Sequence, residues 1–145
     1  MTSGRNTIGT VVIGVIGNDI HVVANRILEM SLQSAGFEVL NLGTNVKPDE
    51  FADAALEVGA EAVLIGSLNG EAPHWCHGLK ARFAARGLDH VKLYLGGNVV
   101  TGELPRDEVE AMFTRVGIDR VFYGTTDFDA LTKTLRKDMD GTAAR

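Results

Sequence analysis

A chain of 145 residues, 45% of them apolar, is one domain's worth of sequence with enough apolar surface for a single core. Its formal charge of −5 comes with no basic stripe, which makes it a poor partner for nucleic acid or a membrane surface. One cysteine, Cys76, allows no internal disulfide; the N-terminus is short and polar, and no apolar run is long enough to cross a bilayer, so a soluble cytoplasmic domain is the expectation.

Thr10 to Ile16 is predicted as a strand, β-branched and apolar on both faces, as strands are inside a helix-covered parallel sheet. From Ile20, apolar residues recur at Val23, Ala24, Ile27 and Leu32, which predicts a helix with that stripe turned inward and Gly36 as its stop. Phe37 to Leu42 reads as the second strand. Pro48, with Asp49 and Glu50 behind it, opens a helix that runs to Gly59. Glu61 to Gly66 is the third strand, followed by one helix from about Pro73 to Gly87. Val91 to Leu95 is the fourth strand, Pro105 to Val116 a helix, Arg120 to Tyr123 the fifth strand and Phe128 to Met139 the last helix. Residues 10–139 are thus expected to form one domain, with tails at 1–9 and 140–145, the latter frayed.

Five strands alternating with helices imply parallel pairing through right-handed crossovers. The expected fold is α/β, a flavodoxin-like (Rossmann-like) five-stranded parallel sheet of order 2-1-3-4-5 with helices on both faces. Ligands of such sheets bind beyond the carboxyl ends of the strands, at the switch point between strands 1 and 3. At those ends stand Asp19 and His21, then Ser67 to Gly70, then Leu95 to Asn98, then Tyr123 to Thr126. Asn18 to Ala24 lacks the Ser/Thr-rich phosphate loop that FMN would want. Ser67 stands where a phospho-acceptor domain would carry an aspartate, and Gly14 and Gly17 make no dinucleotide fingerprint. A carboxylate two residues from an imidazole can fix its tautomer and raise its basicity, which makes a better metal ligand. A large neutral cofactor with one open metal position fits this edge best.

Asp19-x-His21, then Ser67-x-Asn69, then Gly96-Gly97 resembles the cobalamin-binding signature Asp-x-His-x-x-Gly, Ser-x-Leu, Gly-Gly. From Thr10 to about Lys137 the chain is similar to the small sigma subunits of glutamate mutase (methylaspartate mutase). The similarity is carried by Gly17, Asp19, His21, Asn25, Ile27, Leu28, Ala35-Gly36-Phe37, Ser67-Leu68, Gly96-Gly97-Asn98-Val99-Val100 and Gly124-Thr125. The chain departs from the signature at Ala24, where the family has glycine, and at Asn69, where those subunits carry an aromatic residue.

The resemblance implies adenosylcobalamin bound base-off, with His21 as the lower axial cobalt ligand and Asp19 holding the other imidazole nitrogen's proton. It implies that Ser67 bonds the buried benzimidazole nitrogen, that Gly96 and Gly97 let the nucleotide tail pass close to backbone, and that Gly124 and Thr125 close the other side. Ile20, Val22, Val23, Ala24, Leu68, Asn69, Asn98 and Val99 complete the implied contact set, and no catalytic acid or base is expected on this chain. The implied partner is a catalytic large subunit, a TIM barrel, with which the holoenzyme interconverts L-glutamate and threo-3-methylaspartate.

Plainer readings stand beside these. Asp19 and Ser67 each suit a helix N-cap, and glycine pairs after strands are commonly turns. His74, Cys76 and His77 lack the fourth ligand of a zinc site, and are read as the start of a helix with Trp75 and Cys76 packing. A corrinoid carrier for methyl transfer is the second functional reading, although the ten or so residues before strand 1 are too few for the helical cap such carriers have. A cobalamin-binding or sensor domain without enzymatic partner is the third.

Overall fold

The computed structural model describes residues 9–17, 23–67, 70–97, 104–123 and 127–143. Its elements are β1 (Thr10–Val15), α1 (Val23–Ser34), β2 (Glu38–Asn41), α2 (Pro48–Val58), β3 (Ala62–Gly66), α3 (Ala72–Cys76), α4 (Leu79–Ala84), β4 (Lys92–Gly97), α5 (Arg106–Arg115), β5 (Arg120–Tyr123) and α6 (Phe128–Ala143). The five strands form one parallel sheet in the order β2-β1-β3-β4-β5, as the alternation of strand and helix predicts.

Side chains alternate across the strands and divide the core in two. Val12, Val63, Ile65, Leu93 and Leu95 point to the face covered by α2 to α5, where they meet Phe51, Leu79, Phe83, Val109 and Phe113. Val11, Ile13, Leu64 and Tyr94 point to the face covered by α1 and α6, where they meet Leu32, Leu131, Leu135 and Met139. Each of these large side chains, almost wholly removed from water, contributes about 1.5–3 kcal/mol.

Polar contacts fix the helices around this core. The Glu50 carboxylate accepts the Lys47 N–H at 2.8 Å and so closes the start of α2. Arg86 bridges α4 to Asp49 and Asp53 of α2, and Arg82 joins it on Asp49. On the other face Arg136 of α6 donates to the Ala35 carbonyl at 2.7 Å, just past the C-terminus of α1, where a cation is favourable.

The structure departs from the expected elements in four places. The helix expected from Pro73 to Gly87 is two helices, because Gly78 sits in the left-handed region (φ 77°) and breaks the hydrogen-bond ladder after Cys76. Gly96 and Gly97 belong to β4 itself: Gly96 pairs with Gly66 on one side and Phe122 on the other, and Gly97 pairs with Tyr123. The last helix continues to Ala143, four residues beyond its expected end. The inward face of α1 is the predicted one only in part: Leu32 is buried and Ala24 lines the cavity. Val23 is 69% and Ile27 46% exposed, while Asn25, Leu28 and Leu32 turn toward the sheet.

Candidate functional site

Where β1, β3, β4 and β5 deliver the chain to the carboxyl edge, the α1/α6 face runs out of side chains. Along β3 the inward series is Ala62, Leu64, Gly66, and along β4 it is Lys92, Tyr94, Gly96. The two glycines lie side by side in register. A Cβ built on Gly66 would meet nothing closer than 3.7 Å, so the protein has room for a side chain that the sequence withholds. The result is a cavity of about 270 Å³ between the glycine floor and the two helices. Val15, Leu64 and Tyr94 line it from the sheet, Ala24, Asn25 and Leu28 from α1, and Phe128 and Leu131 from α6. An apolar hollow with a few polar groups at its rim is the usual form of a small-molecule site.

Two polar arrangements set its walls, and a third directly follows the lining residue Gly66. Tyr94 stacks on Phe122 with ring centroids 6.1 Å apart. Its hydroxyl donates to Asp138 of α6, which Arg120 also holds in a two-pronged contact at 2.8 and 3.0 Å. Burial first, then the Asp138 carboxylate, push the Tyr94 phenol above its ordinary value, while the hydrogen bond from Arg120 draws the Asp138 carboxyl down. On the opposite wall the Asn25 amide donates to Asn41 Oδ1 at 2.7 Å, and the Asn41 amide donates to Glu29 at 3.1 Å. Asn41 Oδ1 also accepts the Gly43 N–H at 2.8 Å, so α1 is pinned to the end of β2 by a connected network.

The third is Ser67. Its N–H donates to the Gly96 carbonyl at 3.0 Å, which seats it against β4. The residue is fully buried, yet its hydroxyl has no hydrogen-bond partner among the described residues. A buried polar group left unpaired costs about 1–3 kcal/mol, so native proteins rarely keep one without use.

Of the residues singled out in the sequence, Ala24, Gly96 and Gly97 line the cavity, and Ser67 directly follows the lining residue Gly66. Val23 opens α1 and is exposed. Asp19, Ile20, His21, Val22, Leu68, Asn69, Asn98, Val99, Gly124 and Thr125 lie outside the described residues. The described chain does lead into all four of those segments from one edge, at Gly17, Ser67, Gly97 and Tyr123. Sequence reasoning missed Gly66, Tyr94 and Phe122 as cavity residues, and Asn41 as the anchor of α1. Their signals were a third glycine at a strand end and asparagines where core residues belong. Cys76 is wholly buried and burial pushes its thiol up to about 12, which keeps it protonated and inert. Among the described residues, no three His, Cys, Asp or Glu side chains gather to hold a metal ion.

Comparison with known proteins identifies the family. The profile of the B12 binding domain matches residues 9–131. The glutamate mutase sigma subunit of Carboxydothermus hydrogenoformans is 48% identical over 128 residues, 88% of this chain and 93% of that protein. Glutamate mutase sigma subunit 1 of Haloarcula marismortui is 45% identical over 137 residues, 94% of this chain and 90% of its own length. Among solved structures, the monomethylamine corrinoid protein of Methanosarcina barkeri superposes with a TM-score of 0.73 at 20% identity, over 93% of this chain and 60% of that one. A cobalamin-binding protein from Desulfitobacterium hafniense gives 0.72 at 24% identity, over 89% of this chain and 58% of its own, so the chain spans about three fifths of these two proteins. Such distant likenesses show the fold. The sequence relatives, together with the domain profile, show the family: the chain belongs to the glutamate mutase sigma subunits, within the B12-binding domain family.

Proposed function

We propose that the chain is the cobalamin-carrying small subunit of glutamate mutase, and that it holds adenosylcobalamin base-off, with His21 on cobalt. The observation that carries this reading is the fully buried, unpartnered Ser67 hydroxyl directly after Gly66 of the glycine-floored apolar cavity. The group fits: a benzimidazole has an apolar ring to bury and one nitrogen acceptor to satisfy, and the site offers an apolar hollow with one spare donor close by. Gly66, Gly96 and Gly97 leave room for the tail; Leu28 and Leu131 exclude water from it. In this reading His21 supplies the cobalt ligand, and Asp19 holds the proton on the other imidazole nitrogen and so fixes the tautomer.

When bound, the cofactor supplies homolysis of its cobalt–carbon bond, and the protein supplies position and exclusion of water. None of the cavity's residues is a general acid or base poised for a substrate: the Tyr94 phenol is held protonated and engaged with Asp138. The amino-acid substrate, L-glutamate rearranged to threo-3-methylaspartate, therefore binds on a separate catalytic large subunit, a TIM barrel, and the pair works in the cytoplasm. Ala24, which stands where the signature has glycine, is the second residue of α1 and lines the cavity wall, so its methyl faces the space the cofactor tail would enter.

Electron paramagnetic resonance of bound cob(II)alamin tests the assignment. Protein made with 15N-histidine is expected to change the nitrogen coupling on cobalt, and His21→Gln to abolish it. Coupling indifferent to the label, or no binding, defeats the assignment. Addition of the large subunit and glutamate is then expected to yield methylaspartate.

A further inference from the structure

The chain leaves β1 through Gly17, and four residues later reaches His21. Gly17 is held from every side that the described residues provide. Its φ of 81° lies in the left-handed region, where a side chain is strained. Its N–H donates to the Val46 carbonyl at 2.7 Å, beyond the isolated parallel bridge between Ile16 and Val46. Its carbonyl lies 3.5 Å from the Lys47 ammonium, which donates to it. The Trp75 indole fills the place of its missing side chain: a Cβ there would stand 2.6 Å from Trp75 Cδ1.

The two side chains that hold Gly17 also hold each other. The Lys47 ammonium stands 4.7 Å above the Trp75 ring, within the range of a cation–π contact. The indole N–H donates to Glu71 at 3.3 Å, one turn back, and His74 meets the ring edge-on at 4.9 Å. Trp75 is therefore oriented by three neighbours from α2 and α3, on the sheet face away from the cavity.

We propose that Lys47 and Trp75 are positioning residues which fix Gly17 as a preset pivot, and so aim the Asp19–His21 segment at cobalt. The proposal rests on the cobalamin reading above. Its lever is geometric. Four residues of chain reach at most about 14 Å, so a swing of only about 10° at the pivot moves the far end by about 2 Å. Metal–ligand bonds tolerate only about 0.2 Å. A pivot tied at N–H, carbonyl and Cα face removes the part of that swing that arises at Gly17, and so lowers the ordering cost of ligation.

Lys47→Met, Trp75→Ala and Trp75→Phe test this against wild type in three measurements: melting temperature, cobalamin affinity by optical titration, and the imidazole-bound share of cob(II)alamin by electron paramagnetic resonance. Lys47→Met, which keeps the aliphatic stem, is expected to weaken affinity about fivefold and lower the imidazole-bound share. Trp75→Ala is expected to weaken it more than tenfold, and Trp75→Phe to recover most of the loss. A fall in melting temperature and affinity with the imidazole-bound share of the bound cofactor unchanged marks a merely structural role and overturns the proposal. So does wild-type behaviour in Lys47→Met and Trp75→Ala, and if Trp75→Ala does not fold, Lys47→Met decides alone. A cofactor-free measurement separates this failure from failure of the cobalamin reading: exchange of the Gly17 amide is expected to quicken at least tenfold in Trp75→Ala, and equal exchange overturns the pivot whatever the protein binds.

Discussion

The two faces of the sheet are built from the same strands and solve opposite problems. On the α2–α5 face, Phe51, Leu79, Phe83 and Phe113 reach the strands and are fully buried. On the α1/α6 face the strand side chains shrink to glycine toward the carboxyl edge, and the helices span a hollow. The filled face packs ring against strand throughout; the hollow face leaves a space among its buried side chains at that edge, free to host a guest. Binding capacity here is a matter of side chains left out.

The strongest way to break this comparison is to remove matched rings from the two faces. Phe51→Ala is expected to lose about 3–5 kcal/mol of stability in denaturant unfolding. Phe128→Ala at the cavity is expected to lose less than about 1 kcal/mol, because that ring is only half buried. Equal losses would mean that the hollow carries core load after all.

Matched glycines come next. Gly66→Leu is expected to leave a folded protein with cobalamin binding weakened at least a hundredfold, about 2.7 kcal/mol by optical titration. Gly14→Val, on the filled face where a Cβ already stands 3.0 Å from the Phe51 ring, is expected to lose about 1–3 kcal/mol of stability. Ser67→Ala sharpens the contrast with opposed signs: the cofactor-free protein gains about 1 kcal/mol by losing an unpaired buried hydroxyl, while cobalamin affinity falls about tenfold.

The smallest effect is alkaline. The folded-state phenol of Tyr94 is raised above its ordinary value of 10.0, mainly by burial. Its stabilisation is therefore fully present below that value and is lost as pH rises through the raised one. Of the two tyrosines, Tyr94 is expected to ionise late in an ultraviolet titration, and Tyr94→Phe to remove the extra alkaline loss of stability.

Much of this was legible in the sequence. Apolar β-branched runs marked the strands, glycines marked the helix ends, and strict alternation gave the sheet order. The signature residues stand at the ends of the strands whose glycines floor the cavity. What was not legible has a common cause: local pattern does not reveal what an element packs against. Val23, Ala24 and Ile27 have helical spacing and were read as the inward stripe of α1. Ala24 does line the cavity, but Val23 and Ile27 are exposed, and the helix turns Asn25 inward, where Asn41 at the end of β2 supplies its partner. The fourth strand was expected to end at Leu95, yet Gly96, paired on both sides, and Gly97, paired with β5, continue it. Gly78 looked like an ordinary helical residue because its left-handed backbone is set by how α3 and α4 dock separately. Trp75 read as simple packing, since nothing in the local sequence shows that it faces Gly17.

The glycine floor has an evolutionary consequence. Every glycine codon lies one base from an alanine codon and one base from a valine codon. At Gly66 the methyl of alanine meets only ordinary contacts, so the fold tolerates it. Cofactor capacity in such a domain is thus exposed to drift: a single nucleotide can erase it without leaving a misfolded product for quality control to remove. Only selection on the assembled enzyme keeps the hollow empty, and a descendant released from that selection would persist as a stable domain with its floor filled in.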